Sequence, residues 1–321
     1  MNITITDKAK YIRHCDVKNY LALDTNKIEK ELFGKKVILG DNPWLWHVHI
    51  KMCEYCSANC KFCIEQNSHR ILNEPKVLEN TNKLLTAMKE QGILHSVSVT
   101  GGEPTEVPFM LYKLCCILRE QPIQFLTMNT NGIGLSARVI QKNIDGLFHF
   151  IDVSRHAIDD EANFEIFHSD LVPTLDDLKK LKEIFTETKM RIQCVMFDDM
   201  GIEDFLRTLE AYRFADNISF RRLMSPTADF DAYRDTHDYA YFRILDWVYE
   251  NGTFIEQTIQ DYYVYEIWEV NGVNITFSYS DMHSLEDVES KEDPSIIREF
   301  VVHPDGVVSG SWIEGNKVLL T

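Results

Sequence analysis

The sequence predicts an α/β protein built on a partial (β/α)6 TIM-like barrel of parallel strands. From Trp46 onward, short runs of β-branched and aromatic residues alternate with amphipathic stretches of helical length, which is the pattern of βα units. Turn or polar residues follow each predicted strand, so hairpins are not expected in this part of the chain. Six such units indicate a barrel that is open where a complete one would have eight strands.

The bounds of these units follow from their residue patterns. The predicted strands are Trp46 to Met52, His95 to Thr100, Ile123 to Met128, Phe148 to Val153, Arg191 to Phe197 and Asn217 to Arg221. The predicted helices are Asn80 to Gln91, Pro108 to Arg119, Leu135 to Asn143, Thr174 to Thr188 and Ile202 to Tyr212. A barrel domain over residues 46–225 would contain all of them.

Segments of different character flank this predicted barrel. Residues 1–45 are polar, with two strand-like runs, NITIT and KKVIL, and are interpreted as a short N-terminal extension. Residues 226–321 contain no cysteine and are interpreted as a C-terminal α+β region that caps the barrel or binds substrate. This region begins with a helix closed by Asn251-Gly252. Hairpin signals at Asn271-Gly272 and Asp305-Gly306 then predict two strand pairs.

Composition limits the kind of partner that the protein can bind. The 321 residues include 33 Lys and Arg and 50 Asp and Glu, which gives a formal net charge of −17. This charge repels phosphate backbones, so nucleic acid is not expected as the main partner. The sequence has no evident signal peptide or membrane-spanning segment, which predicts a cytoplasmic protein without a membrane partner. In that reducing compartment, the eight cysteines are expected to be metal ligands or core thiols.

Four of these cysteines lie in MCEYCSANCKFC, residues 52–63, and allow two interpretations. If Cys53, Cys56, Cys60 and Cys63 all bind, tetrahedral zinc is the first idea, although paired zinc knuckles usually lie about a dozen or more residues apart. If only the last three bind, the spacing CxxxCxxC can hold three irons of a four-iron cluster. The fourth iron then stays open, as in a catalytic metal site, and Cys53 lies outside the cluster.

Two motifs together resemble those of the radical S-adenosylmethionine (radical SAM) enzymes. CSANCKFC has the family's CxxxCxxC spacing with an aromatic residue, Phe62, before the last cysteine. SVSVTGGEP contains the family's GGEP motif at Gly101, Gly102, Glu103 and Pro104. The resemblance implies a four-iron, four-sulfur (4Fe-4S) cluster on the three cysteines, with S-adenosylmethionine on the open iron. It also implies a 5'-deoxyadenosyl radical that abstracts hydrogen from the substrate, and a flavodoxin- or ferredoxin-type electron donor.

The resemblance also assigns residues to S-adenosylmethionine, and Phe62 is counted among them. In the family the GGEP turn binds the amino group of the methionine. Two glycines permit close approach of a ligand to the backbone, and the Glu103 carboxylate can accept hydrogen bonds from the ammonium. Asn129 and Thr130, in TMNTNG, are candidates for the ribose hydroxyls or the methionine carboxylate. After the fourth strand, Ser154 is a candidate for the ribose and Arg155 for the carboxylate.

Further residues are interpreted from their positions near strand ends. Arg221 and Arg222 are adjacent on the sixth strand, so only one can face the barrel interior, where it would need an anionic partner. Cys53 is a candidate hydrogen donor to a substrate radical, as in some radical SAM epimerases, although packing would equally explain it. His156 and His168 follow the fourth strand, and a structural or solvent-exposed role is favoured for both.

Three functions are weighed at the level of the sequence. The first is a single-cluster radical SAM enzyme with a biosynthetic role, acting on a small molecule such as a nucleotide or a sugar. The second is the same chemistry on a ribosomally made peptide. The third is a non-catalytic iron-sulfur or zinc protein. No cysteine follows Cys194, so residues 226–321 are not expected to hold the auxiliary clusters of many peptide-modifying enzymes, which favours the first.

Overall fold

One large sheet and one small one organise the part of the chain that the structure describes. The structure is a computed structural model, and it describes residues 2–3, 26–60, 62–63, 70–196, 200–222, 228–260, 263–280, 285, 288–313 and 315–321. Most of the NITIT run, Phe197 and residues 223–227 therefore lie outside the described residues. None of the described helices combines the length and apolar character that crossing a membrane requires.

The described elements alternate between strands and helices over most of the chain. The strands are β1 (Asn2–Ile3), β2 (Lys27–Leu32), β3 (Lys35–Gly40), β4 (His47–Lys51), β5 (Ser96–Thr100), β6 (Phe125–Thr130), β7 (Phe150–Ser154), β8 (Lys189–Met196), β9 (Asn217–Arg222), β10 (Thr253–Gln260), β11 (Tyr263–Val270), β12 (Val273–Ser280), β13 (Phe300–Val302), β14 (Val308–Ser309) and β15 (Val318–Leu320). The helices are α1 (Glu74–Glu90), α2 (Pro108–Arg119), α3 (Arg138–Ile144), α4 (Asp160–Phe167), α5 (Leu175–Ile184), α6 (Ile202–Ala211) and α7 (Ala228–Asn251).

Eight adjacent strands of the large sheet are parallel. The strand order is β1-β10-β11-β12-β9-β8-β7-β6-β5-β4-β13-β14-β15, and seven consecutive parallel pairings run from β12 to β13. Strands β4 to β9 are the six predicted ones, in sequence order and separated by helices, which confirms the predicted α/β fold. Strands β12 and β13 flank these six, so the parallel block is wider than the sequence predicts. The domain boundaries at residues 45 and 225 stay predictions.

The two faces of the parallel block differ in polarity. Alternate side chains of β4 to β9, such as Val97 and Ile151, are apolar and share one buried cluster with helix residues such as Leu84. The intervening side chains form what we call the inner face, and most of them are polar, including His49, Ser98, Asn129, Asp152, Gln193 and Arg221. The apolar face holds the helices, and the inner face is left for polar chemistry.

Some elements differ from their predicted form for local reasons. Strands β2 and β10 and helix α4 are not predicted, because β2 has charged residues at four of its six positions and α4 has only eight residues. Helix α1 begins at Glu74 rather than at Asn80. The Asn73 side chain accepts a hydrogen bond from the Lys76 amide at 3.4 Å, and Pro75 lies in the first turn, so both start signals are present in the sequence.

The C-terminal elements agree with the turn signals in the sequence. Helix α7 ends at Asn251, and Asn271-Gly272, both with positive φ, joins the antiparallel strands β11 and β12. Strands β13 and β14 are also antiparallel and flank Asp305-Gly306. Because β12 and β13 then pair with opposite sides of the block, this region contributes to the inner face.

Candidate active site

Three sequence motifs meet at the carboxyl ends of β4, β5 and β6. The cysteine loop, residues 53–63, follows β4; the GGEP turn follows β5; and the TNG turn, Thr130 to Gly132, begins at the last residue of β6. These strands are parallel neighbours in the sheet, so their carboxyl ends lie along one edge. This is the edge at which parallel α/β folds place their chemistry.

The two glycines of the GGEP turn lie against the backbone of the cysteine loop. The Gly102 amide donates to the Cys53 carbonyl at 2.6 Å, and the Glu103 amide donates to the Tyr55 carbonyl at 2.8 Å. A Cβ on Gly101 would lie 2.6 Å from the Cys53 oxygen, and one on Gly102 would lie 2.0 Å from the Tyr55 oxygen. The sequence analysis gave these glycines to a ligand. In the structure, they are required because the cysteine loop packs directly on them.

The Glu103 carboxylate is buried and joins two turns. Its Oε1 accepts hydrogen bonds from the Thr105 amide at 2.9 Å, the Thr105 hydroxyl at 2.6 Å and the Thr130 hydroxyl at 2.6 Å. Its Oε2 accepts from the Asn131 amide at 2.6 Å. Burial raises the pKa of Glu103, and these four hydrogen bonds oppose that rise. Both side chains hold the turns together, and the contacts of Glu103 and Thr130 with S-adenosylmethionine stay predictions.

Asn131 is a functional candidate that the sequence analysis did not name. Its Nδ2 lies 3.3 Å from the Cys56 sulfur and donates to it, while its Oδ1 accepts from the Ile133 amide at 3.0 Å. The second contact fixes which end of the amide faces the sulfur. The Asn-Gly pair after a predicted strand is the sequence signal that could have indicated this residue, and Gly132 does have a positive φ.

Cys56, Cys60 and Cys63 are half-buried and lie close to one another. The Cys63 amide donates to the Cys60 carbonyl at 3.1 Å. Burial raises the pKa of Cys56 to about 11 and that of Cys60 to about 12, and neighbouring cysteines add to both effects. The site therefore disfavours bare thiolates, and a bound cation would reverse that preference.

The described residues contain no group of three His, Cys, Asp or Glu side chains placed to hold a metal ion. This concerns ligands that converge on one ion. A four-iron cluster makes a different demand, because each thiolate binds its own iron. Three thiols on one loop fit that demand.

Cys53 lies apart from the other three cysteines of its motif. It is buried, and its thiol donates to the carbonyls of Tyr55 at 3.5 Å and Glu103 at 3.7 Å. Burial also raises the pKa of this thiol. The thiol is enclosed between the cysteine loop and the GGEP turn, which agrees with the packing interpretation, and the role as a hydrogen donor stays a prediction.

The cysteine loop has two further anchors. The carboxylate of Glu106, in the short 3-10 helix Pro104–Glu106, accepts from the Ser57 amide at 2.8 Å and from the Ser57 hydroxyl. The Asn59 amide donates to the Phe167 carbonyl at 2.8 Å, at the end of α4. Sequence reasoning missed Glu106, because its partner lies 49 positions away.

Arg155 does not face the candidate site. Its side chain is buried, and its guanidinium donates to the carbonyls of Pro173 at 3.2 Å and Ile158 at 2.8 Å and to Asp160 at 2.6 Å. The guanidinium is thus held by protein groups, and its contact with the methionine carboxylate stays a prediction. An open cavity of about 600 Å³ near the starts of α4 and α5 is lined partly by Asp160, and none of the predicted site residues lines it.

Ser154 and Asn129 remain on the inner face. Both are half-buried at the ends of their strands, and the Gln193 side-chain amide donates to the Asn129 Oδ1 at 3.3 Å. Their position is consistent with ligand contact, as the sequence predicts. The Phe62 ring packs edge-on against His156, with ring centres 5.1 Å apart.

The two histidines are structural in this arrangement. His156 Nδ1 accepts from the Val195 amide at 3.1 Å, and its ring stacks on Phe167. Burial lowers the pKa of His156 to about 3, so the ring is neutral. His168 is exposed at the end of α4, with φ of 49°.

Comparison with known proteins identifies a family. The family model described as the radical SAM superfamily matches residues 50–212, just over half of the chain. GTP 3',8-cyclase from Clostridium perfringens strain SM101 is 24% identical over 183 residues, which are 56% of this chain and 55% of that protein. The enzyme of the same name from strain 13 is 23% identical over 164 residues, 50% of this chain and 49% of that one. The chain thus spans about half the length of the curated relatives it matches.

Solved structures share the fold. Streptococcus suis SuiB bound to S-adenosylmethionine has a TM-score of 0.58 and 17% identity, over 85% of this chain and 62% of that chain. SuiB bound to its precursor peptide SuiA has a TM-score of 0.55 and 18% identity, over 83% of this chain and 59% of that chain. At these identities, the likeness establishes the fold of a partial TIM-like barrel.

The packing at Gly102 predicts that a single methyl group disturbs the cysteine loop. Gly102→Ala should lower the melting temperature and make Cys53 react faster with a thiol reagent, because the new Cβ displaces the Tyr55 carbonyl. We expect a loss of about 1 to 3 kcal/mol in the free energy of unfolding. Gly201→Ala is the control, since Gly201 has φ of −77° and only the flexible Asp204 side chain is near. Equal Cys53 reactivity in the two variants would contradict the assignment.

Proposed function

Because the chain belongs to the radical SAM superfamily, whose enzymes use a 4Fe-4S cluster and S-adenosylmethionine, we propose that Cys56, Cys60 and Cys63 hold that cluster. The enzyme then acts on a small polar molecule bound against the inner face. When bound, the cluster and S-adenosylmethionine supply a 5'-deoxyadenosyl radical that abstracts a hydrogen atom. A flavodoxin- or ferredoxin-type protein supplies the electron.

One observation carries this proposal. The three half-buried cysteines lie on one loop, beside the GGEP turn, at the edge where the inner face ends, whereas Cys53 is enclosed behind them. Three protein ligands leave the fourth iron for S-adenosylmethionine. The protein's own residues have two tasks: the Glu103 amide and the Glu106 carboxylate hold the loop in place, and Asn131 donates a hydrogen bond to one ligand sulfur.

The inner face supports a polar substrate. Its side chains are joined by hydrogen bonds, such as that from Gln193 to Asn129 and that from Arg221 to the Gln193 Oε1 at 3.0 Å. Polar groups at this depth orient ligands through a few directed hydrogen bonds. Ser154 and Asn129, at strand ends next to the GGEP and TNG turns, are proposed to contact S-adenosylmethionine or the substrate.

A nucleotide is one member of the proposed substrate class. The Clostridium perfringens relatives are named for a cyclase of GTP. The alternative is a ribosomally made peptide, since SuiB binds a precursor peptide. That likeness is one of fold alone, so the small molecule is preferred on the polarity of the inner face. The third hypothesis, a non-catalytic metal protein, is not kept, because the superfamily members compared here are enzymes.

Removing single cysteines tests the proposed ligand set. After anaerobic reconstitution with iron and sulfide, the native protein should hold about four irons and form 5'-deoxyadenosine from S-adenosylmethionine and dithionite. Alanine at Cys56, Cys60 or Cys63 should remove the cluster and the product, because one iron loses its ligand. The readouts are bound iron, the brown absorbance and 5'-deoxyadenosine.

The control variants are Cys53→Ala and Cys116→Ala, which change a buried and an exposed thiol outside the proposed ligand set. Both should keep about four irons. Loss of the cluster from Cys53→Ala, in a variant that folds normally by circular dichroism, would contradict the assignment. A full cluster in Cys60→Ala would contradict it as well.

The hydrogen bond from Asn131 predicts an effect on the reduction potential. Asn131→Leu should make the midpoint potential more negative, because a donor on a thiolate stabilises the more negative, reduced cluster. A hydrogen bond worth about 1 kcal/mol corresponds to a shift on the order of 40 mV for one electron. The measurement is a redox titration followed by electron paramagnetic resonance.

Asn129→Leu is the matched control for this titration. Asn129 precedes the TNG turn and its side chain contacts Gln193 instead of a cysteine. Its variant should keep the native potential. An unchanged potential in Asn131→Leu, with full iron content, would show that the contact does not influence the cluster.

A further inference from the structure

Three polar side chains lie opposite one another on neighbouring strands of the inner face. Arg221 on β9 is paired in register with Ser278 on β12, and Ser278 is paired with Tyr265 on β11. Residues paired in this way point to the same face of a sheet. We call Arg221, Ser278 and Tyr265 the cross-strand row. It lies outside residues 50–212, which the family model matches, and no step described above uses it.

Arg221 forms no direct salt bridge with an acid of the described residues, although burial raises the pKa of the Asp152 carboxyl and the charge of Arg221 opposes that rise. Its hydrogen bond goes to the neutral amide oxygen of Gln193 at 3.0 Å. An arginine has five N–H donors in a planar fork, so most of its capacity is unused. Enclosing such a charge without a counter-ion is costly, and an anionic ligand would remove that cost.

Two buried acids, Asp152 and Glu299, pair directly with other groups. Asp152 pairs with Arg191 at 3.4 Å. Glu299 lies 2.7 Å from the His49 Nε2 and accepts from the Trp312 ring nitrogen at 2.6 Å. These acids and Arg221 nevertheless share one interior with Tyr265. Burial raises the pKa of Tyr265, Arg221 and Arg191 oppose that rise, and Glu299 and Asp152 add to it.

The other two members of the cross-strand row offer hydroxyl groups. The Ser278 side chain is buried, and its Oγ has no hydrogen-bond partner. A buried hydroxyl without a partner is uncommon and indicates a missing partner. Tyr265 keeps its proton, since burial raises its pKa, and is therefore a hydrogen-bond donor. One guanidinium, which uses a single N–H on Gln193, and two hydroxyls therefore offer hydrogen-bond donors to a ligand.

We propose that the cross-strand row binds an anionic group of the substrate, either a carboxylate or a phosphoryl group. Guanidinium forks bind both groups with two parallel hydrogen bonds, and hydroxyls complete the set of donors. Arg221 lies near the carboxyl end of β9, at the same edge of the parallel block as the cysteine loop. The row thus anchors one end of the substrate and leaves the other end for the radical chemistry. The inference rests on the proposed function, because that function places the substrate on the inner face.

Arg221→Gln and Arg222→Gln form a matched pair for the test. Arg222 is the next residue of β9, and its guanidinium lies over the Phe242 ring, 5.5 Å from the ring centre, on the helix side of the sheet. Both variants lose one positive charge, and only the first changes the cross-strand row. Ser278→Ala is a third variant, in which an unpartnered hydroxyl is removed without loss of an existing hydrogen bond.

The measurement is anion binding to the reconstituted protein, followed by calorimetry and by melting temperature. The probes are inorganic phosphate and acetate, at constant ionic strength set with chloride, so that general salt effects are equal in all variants. The native protein and Arg222→Gln should bind one of the two probes saturably with the same midpoint. Arg221→Gln should bind it at least about tenfold more weakly, and Ser278→Ala several-fold more weakly. The probe that saturates at the lower concentration identifies the group as phosphoryl or carboxylate.

Two outcomes would overturn the inference. One is equal midpoints in Arg221→Gln and Arg222→Gln, or, if Arg221→Gln does not fold, equal midpoints in Ser278→Ala and the native protein. The other is no saturable binding of either probe to the native protein. Both are separate from failure of the proposed function, which is read from bound iron and 5'-deoxyadenosine in the same preparation. If the protein forms 5'-deoxyadenosine but binds neither anion, the anion site at the cross-strand row is refuted and the proposed function is not.

Discussion

The buried carboxylate of Glu103 is the interaction on which the candidate site depends. Its oxygens accept from Thr105, Thr130 and Asn131, which ties the end of β5 to the end of β6. Its own amide donates to the Tyr55 carbonyl, which ties both to the loop after β4. A carboxylate buried without such partners would be unstable as an anion. Here four hydrogen bonds offset the loss of water, so the Glu103 side chain and backbone amide together connect two turns and the cysteine loop.

These hydrogen bonds fix the position of Asn131, which donates a hydrogen bond to the Cys56 sulfur. Asn131 has its backbone amide on Glu103 and its Oδ1 on the Ile133 amide, so both ends of the residue are held before its Nδ2 reaches Cys56. A group held by its surroundings loses little entropy when it acts on a ligand. Partners of ligands commonly influence a metal centre as strongly as the ligands' own geometry does.

The sequence predicts what depends on local pattern and fails where distant partners decide. Runs of β-branched and aromatic residues predict β4 to β9, and the resemblance to the CxxxCxxC motif predicts three ligand cysteines without Cys53. Glu103, Thr130 and Arg155, which are predicted to contact S-adenosylmethionine, also have protein partners that the sequence does not show. A polar residue near a predicted ligand can equally be needed by the protein, since buried backbone and side-chain groups require partners. Those partners, such as Pro173 for Arg155, cannot be read from the residues beside it.

Arg221 and Arg222 also show that distant partners decide what the sequence alone does not. Alternation allows only one of them on the inner face, and the choice depends on how β9 registers with β8 and β12. The hydrogen bond to Gln193 and the pairing with Ser278 show that Arg221 lies on the inner face, and both partners are distant in sequence. The face on which such residues lie can be assigned only when the pairing of the strands is known.

The acidic character of the chain and an anionic substrate are compatible. A net charge of −17 repels a long polyanion, which must lie along the protein surface. That repulsion is screened over about 8 Å at physiological ionic strength. A small anion that has reached the inner face instead meets Arg221, which forms no direct salt bridge with a carboxylate of the described residues. The net charge therefore governs which polymers approach the protein, whereas the cross-strand row governs which small group is retained inside it.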